Sequence, residues 1–283
     1  MNRRVCLQAL AGSAVCSGQD DFPDIRSVAP DLEIPSMAAG EPRPGKRVRG
    51  VTKKWAGTDV HHTLYLPQDW QAGRRYPVLV EYAGNGNYRN AYGDVSTGEV
   101  EGSKLGYGLS AGRGFLWLCL PYVNSEERRN QLLWWGDVEA TVEYCRSAIE
   151  DVCTHWGGDE QKLILCGFSR GSIACNFLGL HDDGIAALWR GFFCYSHYDG
   201  VRENWPYAGA DRASALKRLA RLNGRPQFIC HERSVAETEQ WLKKTGTEGR
   251  FTFESLPFRN HNDAWTLRNI ELRRKARQWI AVL

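Results

Sequence analysis

The run Gly167-Phe168-Ser169-Arg170-Gly171 places a serine between two glycines in a Gly-x-Ser-x-Gly pattern. The apolar run before it, residues 162–166, predicts a buried strand, and residues 172–178 predict a helix after it. A strained strand-to-helix turn at this pattern lifts the serine hydroxyl above a sheet, and its glycines let strand and helix approach closely. The context therefore predicts that Ser169 is a nucleophile. The alternative is a glycine-rich turn with an incidental serine.

A serine hydroxyl is a poor nucleophile unless a base removes its proton. Around turns of this kind the chain order is serine, acid, histidine. His261 fits the base, because it lies in a loop after a predicted strand over residues 250–256 and before the last predicted helix. The alternative is an ordinary surface histidine.

The acid should follow a strand between Ser169 and His261. Glu232 comes directly after a predicted strand over 226–230, and Asp199 follows the strand before it. We prefer Glu232, since the strand before the last one usually supplies this residue in such folds; Asp199 is the alternative acid and Glu237 a third candidate. A carboxylate that only favours a helix N-terminus is the other interpretation of these side chains.

The tetrahedral oxyanion formed by serine attack needs two N–H donors. The N–H of Arg170 should be one, because the first N–H groups of a helix have no partner within the helix. The other should come from the loop after a predicted strand over 76–82, where Gly84-Asn85-Gly86 stands. We therefore expect Asn85 and Gly86 to bind the oxyanion or the substrate. An ordinary Asn-Gly turn is the alternative.

Strands and helices alternate from residue 48 onward, which predicts the α/β class, with a mostly parallel sheet and helices on both faces. Residues 48–56 and 59–66 predict an initial hairpin. A long Gly-, Tyr- and Asn-rich loop with one short helix is predicted over 87–113, and long loops in compact domains are often functional. The final helix is predicted over 264–282. Ligands of such sheets bind at the carboxyl ends of the strands, which is where the candidate residues fall.

The composition narrows the classes of partner. The 283 residues suffice for one large domain with a buried core, and the net charge of +3 gives no reason to expect nucleic acid or an anionic membrane surface. The apparent N-terminal signal aside, no segment is long and apolar enough to span a membrane. The nine cysteines form no CxxC pair and no zinc-like spacing, so we expect buried free thiols, no metal and no cofactor.

The N-terminal residues have a different pattern. Residues 1–19 combine Arg3-Arg4 with a short apolar stretch and small residues, the layout of an export signal that resembles the twin-arginine type. This predicts a periplasmic or extracellular protein; the alternative is an N-terminus without a signal and a cytoplasmic protein. Residues 20–47 contain several prolines among charged residues and predict an extended leader before a catalytic domain over 48–283.

The turn at Ser169, the late histidine and the order of strands resemble the α/β-hydrolase superfamily over about residues 48–283. The resemblance implies a three-layer sandwich around a sheet of the eight-stranded type. Within the superfamily, Tyr65-Leu66-Pro67 ahead of Tyr76-Pro77-Val78-Leu79-Val80 is similar to polyhydroxybutyrate-depolymerase-like and feruloyl-esterase-like enzymes, as is the approach to Ser169 over 159–169. Those relatives carry His-Gly where this chain has Ala83-Gly84, and often an Asp where it has only Glu232 and Glu237.

The resemblance implies hydrolysis of a carboxylic ester through an acyl-enzyme on Ser169, with His261 as general base. The abundant Trp and Tyr favour a small-molecule or carbohydrate-linked ester over a lipid. Two alternatives stay open: a serine peptidase on the same fold, and a binding protein that keeps the fold without catalysis. The sequence leaves the oligomeric state open.

Overall fold

The structure is a computed structural model that describes residues 22–283. Nine strands of this part of the chain form one sheet in the order β1-β2-β3-β5-β4-β6-β7-β8-β9. Strand β3 runs antiparallel to both of its neighbours, and the other pairs are parallel. The strands are β1 Met37–Ala38, β2 Arg47–Gly50, β3 His62–Tyr65, β4 Tyr76–Tyr82, β5 Leu116–Leu120, β6 Gly158–Phe168, β7 Trp189–Tyr195, β8 Pro226–Glu232 and β9 Arg250–Leu256.

Helices cover both faces of this sheet. Successive residues of a strand point to opposite faces, and in the central strands both sets of residues are apolar. Val78 and Val80 of β4 belong to one buried core and Leu79 between them to a second. The helices are α1 Leu105–Ser110, α2 Val138–His155, α3 Arg170–Phe177, α4 Asp183–Ala186, α5 Arg212–Leu219, α6 Ala236–Thr245 and α7 Glu271–Ala281. Side chains of α2 to α6 enter the first core and those of α1 and α7 the second. The predicted α/β class and its three layers are confirmed.

The sheet has nine strands rather than eight, because β1 comes from the segment predicted as a leader. Residues 22–47 lie along the domain. Ile25 is buried, and the Val28 carbonyl accepts a 2.8 Å hydrogen bond from Arg268 Nε. Arg273 pairs with Asp31. The predicted export signal in residues 1–19 lies outside the described residues and stays a prediction.

These contacts explain why the predicted helix over 264–282 is wrong as one element. A short 3₁₀ helix, Asp263–Leu267, is separated from α7 by extended backbone at Arg268. Arg268 pairs with Pro30, and the Leu267 carbonyl accepts the N–H of Asp31. The leader segment thus takes the backbone groups that a continuous helix would have used.

Two smaller predictions have clear outcomes. Strands β2 and β3 pair antiparallel as predicted, but both are shorter than predicted and a 3₁₀ helix, Lys53–Trp55, lies between them. The cysteines of the described part of the chain are buried and free, at positions 119, 145, 153, 166, 175, 194 and 230.

No helix within residues 22–283 combines the length and the apolar character that crossing a bilayer requires.

Candidate active site

Ser169 lies in the sharp turn between β6 and α3. Its backbone angles, φ 55° and ψ −116°, belong to a strained region that residues other than glycine seldom adopt. The Ser169 N–H donates a 2.9 Å hydrogen bond to the carbonyl of Tyr195, which fixes the turn against strand β7. The side chain is 8% exposed. Ser169 therefore presents its hydroxyl at the carboxyl edge of the sheet, as the Gly-x-Ser-x-Gly pattern predicts.

The two glycines of the pattern allow contacts that no side chain would permit. A Cβ on Gly167 would lie 2.0 Å from the carbonyl oxygen of Gly171. A Cβ on Gly171 would lie 2.0 Å from the carbonyl oxygen of Tyr82, the last residue of β4. Strand β6, the first turn of α3 and the end of β4 thus meet through backbone atoms alone. This brings the loop after β4 beside Ser169.

A chain of hydrogen bonds connects the three residues predicted as nucleophile, base and acid. His261 Nε2 lies 3.0 Å from Ser169 Oγ, and His261 Nδ1 lies 2.7 Å from Glu232 Oε1. The carboxylate selects the tautomer with its proton on Nδ1, which leaves the Nε2 lone pair toward the serine. Burial raises the pKa of Glu232, but the hydrogen bond and charge of His261 outweigh it and lower that pKa to about 2. Glu232 is therefore an anion.

Asp199, the alternative acid, is not part of this chain. It is 1% exposed and forms a two-pronged pair with Arg218 of α5, at 2.8 and 3.0 Å. The turn after β7 directs its carboxylate toward α5 rather than toward His261. Glu237, the third candidate, lies in the first turn of α6. Of the three carboxylates, the structure places Glu232 against the imidazole.

Two further residues hold the His261 ring and its loop. The Ser196 hydroxyl donates to Glu232 Oε1 at 3.0 Å and lies 2.9 Å from His261 Nδ1. Asp94 is buried and accepts the backbone N–H of His261 at 2.9 Å. Asp94 also accepts the side-chain amides of Asn260 and Asn262. One carboxylate from the loop after β4 thus fixes three successive residues of the histidine loop.

Aromatic rings surround the imidazole and extend away from it. The ring centroids of Phe168, Tyr88 and His197 lie 4.9, 5.0 and 5.2 Å from that of His261. Burial and the charge of His261 lower the pKa of His197 to about 3. His197 is therefore neutral near pH 7 and places no second positive charge beside the base.

A wall of half-buried aromatic side chains continues from His197. The ring of Trp205 lies 5.2 Å from His197 and 5.3 Å from Trp134, and Tyr207 lies 5.2 Å from Trp134. We call Trp134, Trp205 and Tyr207 the aromatic wall. A separate cleft of about 440 Å³ borders His261 and Glu232, and its lining is rich in polar side chains, among them Tyr88, His197, Arg202 and Arg259.

The predicted oxyanion donors need one correction. The N–H of Gly86 donates to the carbonyl of Leu132 at 2.8 Å, so the prediction that Gly86 binds the oxyanion is wrong. Asn85 differs: its side-chain oxygen accepts the N–H of Trp134, while its own N–H has no acceptor within residues 22–283. The N–H of Arg170, at the start of α3, likewise has no acceptor there. Arg170 and Asn85 therefore remain as the two candidate oxyanion donors.

Comparisons with known proteins agree with this architecture. Neither a family model nor a curated protein matches the chain. A solved S-formylglutathione hydrolase from Agrobacterium tumefaciens is similar over 86% of this chain and 98% of its own, with a TM-score of 0.58 and 11% identity. The esterase Est22 is similar over 84% of this chain and 80% of its own, with a TM-score of 0.55 and 12% identity. The chain has the α/β-hydrolase fold.

Peptidases share this α/β-hydrolase fold as part of longer chains. Dipeptidyl peptidase 4 of Porphyromonas gingivalis is similar over 85% of this chain and 36% of its own, with a TM-score of 0.54 and 15% identity. The present chain spans between 35% and 39% of the length of the peptidases and the isopeptidase it matches first. At these identities the likeness shows the fold. The narrower resemblance to polyhydroxybutyrate-depolymerase-like and feruloyl-esterase-like enzymes stays a prediction.

Sequence reasoning missed three contributors to this α/β-hydrolase site: Ser196, Asp94 and the side chain of Arg170. Ser196 directly follows β7, at the strand edge where the acid is expected, but a hydroxyl at that place carries no sequence signal that sets it apart from other serines. Asp94 is the one carboxylate in residues 87–98 of the long loop that was predicted to be functional. Arg170 was considered only for its backbone N–H.

Proposed function

We propose that this protein is a serine hydrolase that cleaves carboxylic esters through an acyl-enzyme on Ser169. The observation that carries the proposal is the chain of hydrogen bonds from Ser169 through His261 to Glu232, at 3.0 and 2.7 Å. It is supported by the N–H groups of Arg170 and Asn85, which have no acceptor in the described part of the chain and lie on the two segments that meet at Gly171. A nucleophile, an oriented base and oxyanion donors are the parts that acyl transfer needs.

The proposed reaction uses these groups twice. His261 Nε2 takes the proton of Ser169 as its Oγ attacks the ester carbonyl, and the N–H groups of Arg170 and Asn85 stabilise the oxyanion. His261 then gives the proton to the departing alcohol, whose bond to the acyl carbon breaks. Water, deprotonated by His261, attacks the acyl carbon of the acyl-enzyme. The bond from that carbon to Ser169 Oγ breaks, His261 returns the proton to Oγ, and the acid is released. Glu232 stabilises the imidazolium in both halves.

We propose a small-molecule or carbohydrate-linked ester as substrate. The aromatic wall supports this, because indole and phenol faces pack well against sugar rings and phenolic groups. The polar cleft beside His261 supports it too, since a polar lining suits a hydroxylated or charged group better than a long alkyl chain. Ordinary lipid esters would gain little from this surface.

The test is labelling of the purified protein by a fluorophosphonate probe, with Ser169→Ala as control. We expect rapid labelling of the wild type and none of the variant, together with hydrolysis of p-nitrophenyl acetate by the wild type alone. If the wild type is not labelled and hydrolyses no ester, the fold serves binding rather than catalysis and the proposal fails.

A panel of substrates separates the remaining choices. We expect short p-nitrophenyl esters, acetylated sugars and feruloyl esters to be cleaved with higher kcat/KM than p-nitrophenyl palmitate. Cleavage of dipeptide p-nitroanilides in preference to all esters would instead assign the chain to the peptidase alternative.

A further inference from the structure

The side chain of Arg170 is among the most buried of residues 22–283, although it belongs to the residue directly after the proposed nucleophile. It is 1% exposed, and its guanidinium carbon lies 3.8 Å from the ring centre of Tyr122. Nη1 donates to the carbonyls of Leu132 and Trp134, at 2.9 and 2.7 Å. Nη2 donates to the carbonyl of Gly84 at 3.2 Å. One cation thus holds two loops that border Ser169.

The bond to Gly84 has a geometric consequence for the neighbouring donor. The carbonyl of Gly84 and the N–H of Asn85 belong to the same planar peptide unit, and in a trans peptide they point in opposite directions. When Arg170 holds the carbonyl, it also sets the direction of the Asn85 N–H. That N–H is the second donor in the proposed oxyanion site.

The loop over 132–134 strengthens the same arrangement. The Leu132 carbonyl also accepts the N–H of Gly86, and the N–H of Trp134 donates to the side chain of Asn85. Residues 84–86 are therefore connected to residues 132–134 both directly and through the guanidinium. Burial lowers the pKa of Arg170 to about 10, so the group stays cationic at neutral pH.

We propose that the Arg170 side chain is a positioning residue that orients the Asn85 N–H toward the oxyanion. Arg170 would then stabilise the oxyanion in two ways. Its own N–H donates to the oxyanion, and its guanidinium orients the Gly84–Asn85 peptide, whose N–H is the second donor. The inference rests on the proposed ester hydrolysis through Ser169. It assigns to Arg170 a role in the transition state and not in binding of the ground state.

A second buried arginine provides a matched control. Arg47 is 2% exposed, donates to the carbonyls of Val100 and Glu101, and packs over the ring of Trp117 at 4.3 Å. It lies on β2, four positions from β6 in the sheet order. Arg47→Lys therefore perturbs a similar buried contact outside the proposed catalytic machinery.

The experiment compares Arg170→Lys with Arg47→Lys in the full chain. The measurements are kcat and KM for p-nitrophenyl acetate, the inhibition constant of an aryl trifluoromethyl ketone, and the Tm. The ketone forms a tetrahedral adduct whose oxyanion needs both donors. Inhibition by the product acetate reports ground-state binding.

For Arg170→Lys we expect kcat to fall about 100-fold and ketone affinity to weaken by about the same factor, because removing one oxyanion donor has effects of this order. KM and acetate inhibition should change less than about twofold, since neither uses the oxyanion donors fully. Arg47→Lys should lower the Tm and leave kcat and ketone affinity unchanged.

The proposal is overturned if Arg170→Lys retains the wild-type ratio of ketone to acetate affinity while it remains folded. If Arg170→Lys does not fold, the same ratio is measured in Arg170→Gln, which keeps one donor without the charge. Failure of the proposed function is distinguishable, because the wild type itself would then show neither ester hydrolysis nor labelling at Ser169.

Discussion

The turn around Ser169 and the loop around His261 are held in opposite ways. The turn is fixed by backbone atoms, both those of its own strand and helix and the carbonyl of Tyr195 in the next strand, and by close approaches that only glycine permits at 167 and 171. The histidine loop is fixed by side chains from distant parts of the chain. Asp94 accepts its N–H groups, Glu232 accepts from its imidazole, and Ile25 donates to Asn260 at 2.7 Å.

The two halves of the site should therefore be sensitive to different substitutions. The turn has no spare volume, so added atoms should damage it while distant substitutions should not. The histidine loop has few backbone restraints of its own, so each distant partner should contribute separately to the alignment of the imidazole. A substituted residue that makes fewer contacts with His261 should therefore have a smaller effect on catalysis.

The largest effect is expected at Glu232. Glu232→Gln removes the charge that holds the imidazole and stabilises its protonated form, so we expect kcat to fall by about 10⁴-fold. Steady-state hydrolysis of p-nitrophenyl acetate measures it. Asp199→Asn is the control, since it breaks the pair with Arg218: it should cost about 3 kcal/mol of unfolding free energy with kcat changed less than about tenfold. The opposite order of the two kcat values would make Asp199 the acid.

The next effect concerns the turn. Gly171→Ala places a Cβ against the Tyr82 carbonyl, and overpacking of this kind should lower the free energy of unfolding by about 3 kcal/mol, with loss of labelling at Ser169. Urea unfolding measures it. Gly184→Ala, where the new Cβ meets only the ends of flexible side chains, should change stability by less than about 1 kcal/mol. Equal stability of the two variants would contradict the tight contact at the turn.

The third prediction concerns Asp94, which accepts hydrogen bonds from three successive residues of the histidine loop. Asp94→Asn replaces an acceptor of several N–H groups by a side chain with one acceptor, so the imidazole should shift and kcat should fall about 100-fold. KM should stay within about twofold. Asp69→Asn is the control. Asp69 accepts the backbone N–H of Gly114, which is not part of the proposed site, so this change should leave kcat unchanged. An unaffected Asp94→Asn rate would show that the loop holds itself.

The pH dependence of stability gives a smaller effect on the same loop. The pKa of Glu232 is lowered from 4.5 to about 2 in the folded state. Between about pH 2 and pH 4.5 the folded state therefore binds fewer protons than the unfolded state. The stabilisation, about 3 kcal/mol for a pKa lowered from 4.5 to about 2, is present above about pH 4.5 and is lost as the pH falls through about 2. Unfolding titrations from pH 2 to 7 should show this loss in the wild type and not in Glu232→Gln. If both proteins lose the same unfolding free energy between pH 7 and pH 2, titratable groups other than Glu232 cause the loss.

The smallest effect is expected at the N-terminal contact. Asp24 contacts the histidine loop through a partly exposed pair with Arg259, whose nitrogen and oxygen lie 3.2 Å apart. Asp24→Ala should therefore lower kcat by no more than about twofold. A fall of tenfold or more would show that residues 22–27 control the histidine loop and would reverse the ranking above.

The same contrast explains what could be predicted from the sequence. Ser169 and the strand-to-helix turn are encoded within a few consecutive residues, and the alternation of strands and helices predicted the sheet that carries them. The place of Glu232 after the strand before the last one favours it over Asp199, which follows an earlier strand, but no local signal shows that Asp199 points toward Arg218. The Gly86 prediction failed because its N–H partner, Leu132, lies 46 residues away.

Other features depended on contacts between distant segments. The packing of residues 22–47, the interruption of the last helix at Arg268 and the restraint of His261 by Asp94 each join residues far apart in the chain. Periodicity and spacing describe neighbours along the chain, so they predict the elements and the turn but not which side chains meet between loops.

The most direct test of the proposed function is to trap the acyl-enzyme. The protein is mixed with p-nitrophenyl acetate, quenched in acid within the first turnover and digested for peptide mapping by mass spectrometry. We expect a burst of about one p-nitrophenolate per protein and a single acetyl group on Ser169, both absent from Ser169→Ala. Ester hydrolysis that continues in Ser169→Ala, or acetyl on another residue, would contradict Ser169 as the nucleophile.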